Sequence, residues 1–121
     1  MKIYQGQRPA DDDIGDCRVV VIEGGSVRPL HHTKYHSDAF EWSYAGSGPA
    51  DTALSILADF FGERPTRRQL ARGQSRSWQL HQHFKRDFIA LAPHDGFTVT
   101  SEQIEAWLKT LGLPENKEEQ L

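Results

Sequence analysis

The sequence predicts an α+β domain, a small antiparallel β-sheet packed against about three α-helices. Three observations carry that expectation. Arg18-Val19-Val20-Val21-Ile22 is an apolar, β-branched run, and Gly24-Gly25 follows it as a dipeptide suited to a tight hairpin. Further along, apolar residues recur every three or four positions in separate segments, the period of a helix with one buried face. The 121 residues are 37% hydrophobic and 26% charged, which suits one globular core and excludes a membrane span or a disordered chain.

Taken in order, Lys2 to Gln7 reads as a first strand and the Arg18 run as a second. The acidic stretch Asp11-Asp12-Asp13 with Gly15 reads as a solvated loop, without the spaced carboxylates of a calcium loop. Residues 27–30 return from the hairpin, and Pro29 confines that strand to an edge or an end. His31, His32 and His36 around Lys34 and Tyr35 read as a polar loop, because no cysteine or fixed histidine spacing supports a closed zinc site. Phe40-Glu41-Trp42-Ser43-Tyr44 alternates aromatic with polar, so as a strand it would carry Phe40, Trp42 and Tyr44 on one face. That face packs the core or, on the sharper reading, offers an aromatic platform to bases or a partner. The sheet is thus expected from the first forty-four residues.

Helices follow. Pro49 opens one near 49–61, with Ala50, Ala53, Leu54, Leu57, Ala58 and Phe61 on one face and Gly62 as its stop. Residues 65–72 suit a short helical turn. A longer helix is expected over 77–92, with Leu80, Phe84, Phe88 and Leu91 as its buried stripe. After a turn at His94-Asp95-Gly96 and a brief extended piece at 97–99, Thr100-Ser101-Glu102-Gln103 matches a capping box. Ile104, Trp107, Leu108 and Leu111 then supply the last apolar face, over 101–111. Residues 1–114 make one domain and 115–121 a charged, frayed tail.

The formal charge of −3 conceals a strong asymmetry. Residues 63–86 carry seven Lys/Arg against Glu63, a net of +6, between flanks of −4 and −5. Arg64, Arg67, Arg68, Arg72 and Arg76, with Trp78 nearby, are the expected partner-binding residues: they could grip phosphates beside a stacking ring or dock on an acidic protein surface. At Ser47, Gly48 and Asp51 a glycine-flanked helix start could hold an anion, although it lacks the P-loop lysine and Asp51 would itself occupy the positive end. No catalytic residue is expected: Gly46-Ser47-Gly48 lacks the nucleophile elbow, and the lone Cys17 reads as a small packed hydrophobe. No metal or other cofactor is expected either, since His81 and His83 lie roughly 200° apart on a helix and cannot converge. A single cysteine and the lack of a leader-like or spanning apolar stretch suggest a cytoplasmic setting.

The run from Phe40 to Asp51, F-E-W-S-Y-A-G-S-G-P-A-D, resembles a family of small proteins of unknown function from bacteriophages, plasmids and bacterial genomes. The opening Lys2-Ile3-Tyr4-Gln5-Gly6-Gln7-Arg8 is similar to that family's start. So are Phe84-Lys85-Arg86-Asp87-Phe88-Ile89-Ala90, Pro93, Gly96 to Thr98, Thr100, Ile104 and Trp107-Leu108. The chain departs from the pattern at Phe97, where many relatives carry tryptophan, and in the arginine-rich stretch at 64–76. The resemblance brings no catalytic residue. It implies a mobile-element setting, in which a non-enzymatic protein binds and modulates a host protein or ribonucleoprotein complex, including inhibition of host defence in the manner of an anti-CRISPR. Direct nucleic-acid binding through 64–86, and capture of a phosphorylated ligand at the Gly48 helix start, are the alternatives.

Overall fold

The β-branched run before Gly24-Gly25 and the Ser26–Pro29 segment after it become the hairpin β2 (Arg18–Glu23) and β3 (Ser26–Pro29), and β1 (Lys2–Gln7) pairs antiparallel with β2. Gly24 and Gly25 turn the chain at φ of 58° and 82°, a region open to glycine without strain. The computed structural model describes residues 1–9 and 17–112. The acidic loop at 11–15 and the 115–121 tail lie outside those residues.

The other edge of the sheet corrects the sequence reading. β4 (Gly96–Thr100) pairs antiparallel with β1, giving the order β3-β2-β1-β4. The 40–44 segment forms no strand. Ser43 takes φ 74° and donates its N–H to the Ile89 carbonyl at 3.0 Å, which kinks the chain midway through the aromatic alternation. Of the three alternate rings Trp42 is wholly buried while Tyr44 is exposed, so the alternation reported neither backbone pairing nor one buried face.

α1 (Ser47–Phe61) ends at Gly62, whose φ of 68° gives the left-handed cap expected from its sequence position. Leu54 and Leu57 are wholly buried, and so is most of the opposite side of the helix, including Asp51, Thr52 and Ser55. A one-sided stripe understates this helix, which is central. Asp59, near its end, ties it to the sheet: the carboxylate accepts from Tyr4 Oη at 2.7 Å, Arg28 Nη2 at 2.7 Å and Lys2 Nζ at 3.2 Å.

Thr66 caps the short α2 (Arg67–Ala71) through a capping box with Gln69, and Leu70 anchors it in the interior. α3 (Arg76–Phe84) starts at Ser75, whose hydroxyl accepts from Trp78 N–H, while the Glu63 carboxylate accepts from Arg76 and Ser77 N–H. The helix then widens into a π-helical turn at Lys85–Ile89 and stops. It is therefore shorter than the expected 77–92. Leu91 falls beyond that change of pitch and is 77% exposed rather than part of the buried stripe. α4 (Ser101–Thr110) begins in the predicted capping box of Thr100 with Gln103, and it buries Ile104, Trp107 and Leu108.

Tyr4, Val19, Val21, Phe97 and Val99 line the inward face of the sheet and share one core with α1, α3 and α4. Phe97 lies directly over Gly6, where a Cβ would come within 2.3 Å of its ring, and meets Trp42 edge-on at 5.1 Å. Among the described residues, no helix is long and apolar enough to cross a membrane.

Candidate functional site

Glu41, Trp42, Gly48 and Asp51 of the 40–51 motif are each spent on an internal contact. Glu41 accepts two hydrogen bonds from the Arg8 guanidinium, at 2.7 and 3.3 Å, and one from the Cys17 thiol at 3.6 Å. The Arg8 bond holds the Glu41 carboxyl below the usual carboxylate range. Arg8 Nε and Trp42 Nε1 both donate to the His94 carbonyl, at 2.7 and 3.0 Å. Gly48 lies under Glu41, where a Cβ would meet Glu41 Cβ at 2.6 Å. Thr52 Oγ1 accepts from Glu41 N–H at 3.0 Å and donates to the Glu41 carbonyl at 2.8 Å.

Asp51 does the same for the histidine loop. It lies past the first turn of α1, fully buried, and does not cap the helix. Its carboxylate accepts from the backbone N–H groups of His36 at 2.8 Å, Tyr35 at 3.1 Å and Ser37 at 3.1 Å, and from His32 Nε2 at 2.8 Å. Burial by itself would raise its pKa, but the bonds from His32 and the three amides outweigh burial and hold it low. One turn further, Ser55 Oγ accepts from Thr33 N–H at 2.9 Å. Asp51, Thr52 and Ser55 thus clamp the 33–41 segment along its backbone.

Beside that clamp sits a cluster of rings. His36 stacks on Trp78 with centroids 5.4 Å apart, and Tyr35 meets Trp78 edge-on at 4.8 Å. His81 Nδ1 faces the Trp78 carbonyl and must donate to it, so the neutral ring offers Nε2 as an acceptor. His36 Nε2, 3.1 Å away, supplies the proton. His81 is buried, which pushes its pKa below the ordinary histidine value.

The arginine segment rests on this cluster. The Arg67 guanidinium lies 4.7 Å over the Tyr35 ring, fixing one side of α2, while Leu70 fixes the other. Arg64, Arg67, Arg68 and Arg72 are exposed, and among the described residues none of them forms an ion pair. Arg76 does not belong with them. It is half-buried, with its guanidinium 4.3 Å over the Phe61 ring, so it packs the base of α3.

The predicted sites therefore separate. Arg67, Arg68 and Arg72 belong to one short, fixed helix and its C-cap, and Arg64 lies in the segment that leads into it. Trp78 is half-buried among the rings of Tyr35, His36 and His81. Phe40, Trp42 and Tyr44 do not form a platform: Trp42 is wholly buried, Phe40 packs on His32 at 4.6 Å and Tyr44 is 50% exposed. At the helix start, Ser47 is exposed but Gly48 is covered and Asp51 is fully engaged. Among the described residues, no three His, Cys, Asp or Glu side chains are arranged to hold a metal ion. Sequence reading missed the Asp51 clamp, the Arg8–Glu41 pair and the His36–His81 contact. The one available signal was the cluster of Asp, Thr and Ser inside an otherwise apolar helix.

One family model, DUF6166, described as a family of unknown function, matches residues 4–110. The chain belongs to this family. The DUF6166 match takes in β1 from Tyr4 onward, the 40–51 motif, the arginine segment and α4, so the whole clamp lies within the shared region. No curated protein and no solved structure is detectably similar to the chain.

Proposed function

We propose that this DUF6166 member is a non-enzymatic binding protein that docks through Arg64, Arg67, Arg68 and Arg72 onto an acidic surface of a protein or ribonucleoprotein complex. One observation carries the reading: Arg67, Arg68 and the C-cap Arg72 are exposed, form no ion pair among the described residues, and belong to a helix that is capped, anchored by Leu70 and stacked on Tyr35, with Arg64 exposed just ahead of it. Such preorganisation lowers the ordering cost of docking, and arginine contributes heavily to interfaces. The resemblance to phage and plasmid proteins supports a partner in the host cytoplasm, whose activity in defence the docking would modulate or inhibit. A nucleic-acid partner gets less support, because the Tyr35 and Trp78 rings are already engaged with Arg67, His36 and each other.

Capture of the partner from a bacterial host lysate, followed by binding to the purified partner, tests this. Replacing Arg67, Arg68 and Arg72 with Ala should weaken binding by about 2 kcal/mol or more, roughly 30-fold. The fold should lose only about 0.5–1 kcal/mol, from the exposed Arg67–Tyr35 contact. Equal affinity of the variant would refute the proposal. A steep salt slope with single-stranded oligonucleotides as competitors would favour nucleic acid instead.

A further inference from the structure

We propose that the open edge of β4 is a second docking site, which takes up an extended, basic segment of another protein as an added strand. The backbone decides what that edge offers. Gly96 N–H donates to the Pro93 carbonyl at 3.2 Å, and Thr100 N–H donates to Gln103 Oε1 at 2.8 Å. Both amides therefore point away from β1. In an antiparallel ladder Thr98, midway between them, points the same way, while Phe97 and Val99 pair with Gly6 and Tyr4. The chain thus closes both ends of the edge with its own groups and leaves the centre open. Among the described residues nothing accepts from Thr98 N–H, and Thr98 is exposed. A strand residue set opposite Thr98 can exchange both backbone hydrogen bonds with it. The edge opens into a groove of about 760 Å³, bounded by Phe88 and Ala92 on the helix side and by Gln5 and Thr98 on the other.

Charge selects the occupant. Asp87 and Asp95 line the groove and are exposed, and among the described residues neither pairs with a lysine or arginine. Arg8 is the one cation among the described lining residues, and its guanidinium is already held by Glu41 and the His94 carbonyl. A second copy would bring the same two carboxylates to the contact and be repelled. The chain's own segments outside the described residues are acidic as well: 11–16 carry four Asp, and 115–121 carry three Glu against Lys117. What fits is a foreign strand with Lys or Arg at alternate positions. The residues on either side of the one opposite Thr98 turn to the face of Phe97 and Val99, the helix side. There their long stems cover Phe88 while the charged ends reach Asp87. This edge therefore attracts the charge opposite to the one the arginine segment attracts, and the two sites act independently.

Two-dimensional NMR of the isotope-labelled full chain, titrated to about 1 mM with a blocked heptapeptide of alternating threonine and lysine, tests the assignment. The Thr98 amide should shift and exchange more slowly with solvent, while the amides of Arg67, Arg68 and Arg72 stay in place. Glutamate in place of lysine should abolish the response. N-Methylation of the peptide's threonines should abolish binding and N-methylation of its lysines should not, because only the threonine amides face the edge. Asp87→Asn with Asp95→Asn keeps an oxygen for Trp107 Nε1 and should weaken binding about fivefold or more. Thr98→Pro removes the central donor at an edge position that accepts proline, so it should keep the melting curve and lose the peptide. The methylated peptides make the same test without touching the fold. A Thr98 amide unmoved by the lysine peptide overturns the proposal, as does an equal response to the glutamate peptide or a threonine-methylated peptide that still binds. A Thr98 amide already protected in a chain that sediments as a dimer overturns it in favour of a second copy.

Discussion

Replacing Asp51 with Asn tests whether the clamp holds the histidine loop. The substitution keeps the volume but turns one carboxylate oxygen into an NH2, which can only donate. If that atom is Oδ1, the His36 N–H at 2.8 Å loses its acceptor; if it is Oδ2, Ser37 N–H at 3.1 Å and His32 Nε2 at 2.8 Å lose theirs. Either orientation sets at least one donor against a donor next to a fully buried group. A charged hydrogen bond contributes about 1.5–3 kcal/mol, so Asp51→Asn should cost about 2–3 kcal/mol, and Asp51→Ala about 3–5 kcal/mol. Urea titrations at pH 7 measure the loss, and amide hydrogen exchange at 35–37 should show those N–H groups exchanging faster. The pH dependence has a definite sign. The folded-state pKa of Asp51 is depressed, so its contribution is complete above the unfolded aspartate value of 3.8 and is lost as pH falls through the folded value. An Asn variant within about 0.5 kcal/mol of the parent at pH 7 would refute the clamp.

Other perturbations probe neighbouring parts of the same construction. Leu54→Ala and Leu57→Ala should each cost about 2–5 kcal/mol in denaturant melts, because both side chains are wholly buried in α1. Gly48→Ala should cost about 1–3 kcal/mol, since its Cβ would come within 2.6 Å of Glu41 Cβ; a neutral result would show that Glu41 moves aside freely. His81 stays neutral in the fold at a pH where the unfolded chain already binds a proton. Its contribution is therefore complete above about pH 6.5 and declines on acidification towards its lower folded pKa, at up to about 1.4 kcal/mol per pH unit. Thermal melts between pH 7 and pH 5 should show that decline, and His81→Gln should flatten it.

Features governed by local chemistry were legible in the sequence. The Gly24-Gly25 hairpin, the Gly62 cap and the Thr100–Gln103 box each depend on residues a few positions apart, and each forms as its chemistry requires. The arginine island was also visible as charge, apart from Arg76, whose stacking on Phe61 depends on how α1 and α3 meet. What was not legible depends on distant partners. Asp51 looks like a helix-start carboxylate until a loop 14–19 residues upstream folds back onto it. His36 and His81 are 45 residues apart, so no spacing rule could pair them. The 40–44 alternation was misleading because a kinked loop can bury Trp42 as well as a strand can, and the open edge of β1 went to β4.

The sheet order carries a consequence for how the chain is made. Of the four strands of this sheet β1 leaves the ribosome first, yet it occupies an inner position with neighbours on both sides. One of them, β4, is synthesised about ninety residues later; at roughly 5–20 residues per second, β1 spends several seconds as a bare edge. During that interval the β1–β2–β3 hairpins and α1 can assemble, but Lys2–Gln7 offers unpaired amides to any other nascent chain. Early truncations should therefore aggregate rather than fold, and solubility should appear only once Thr100 has emerged.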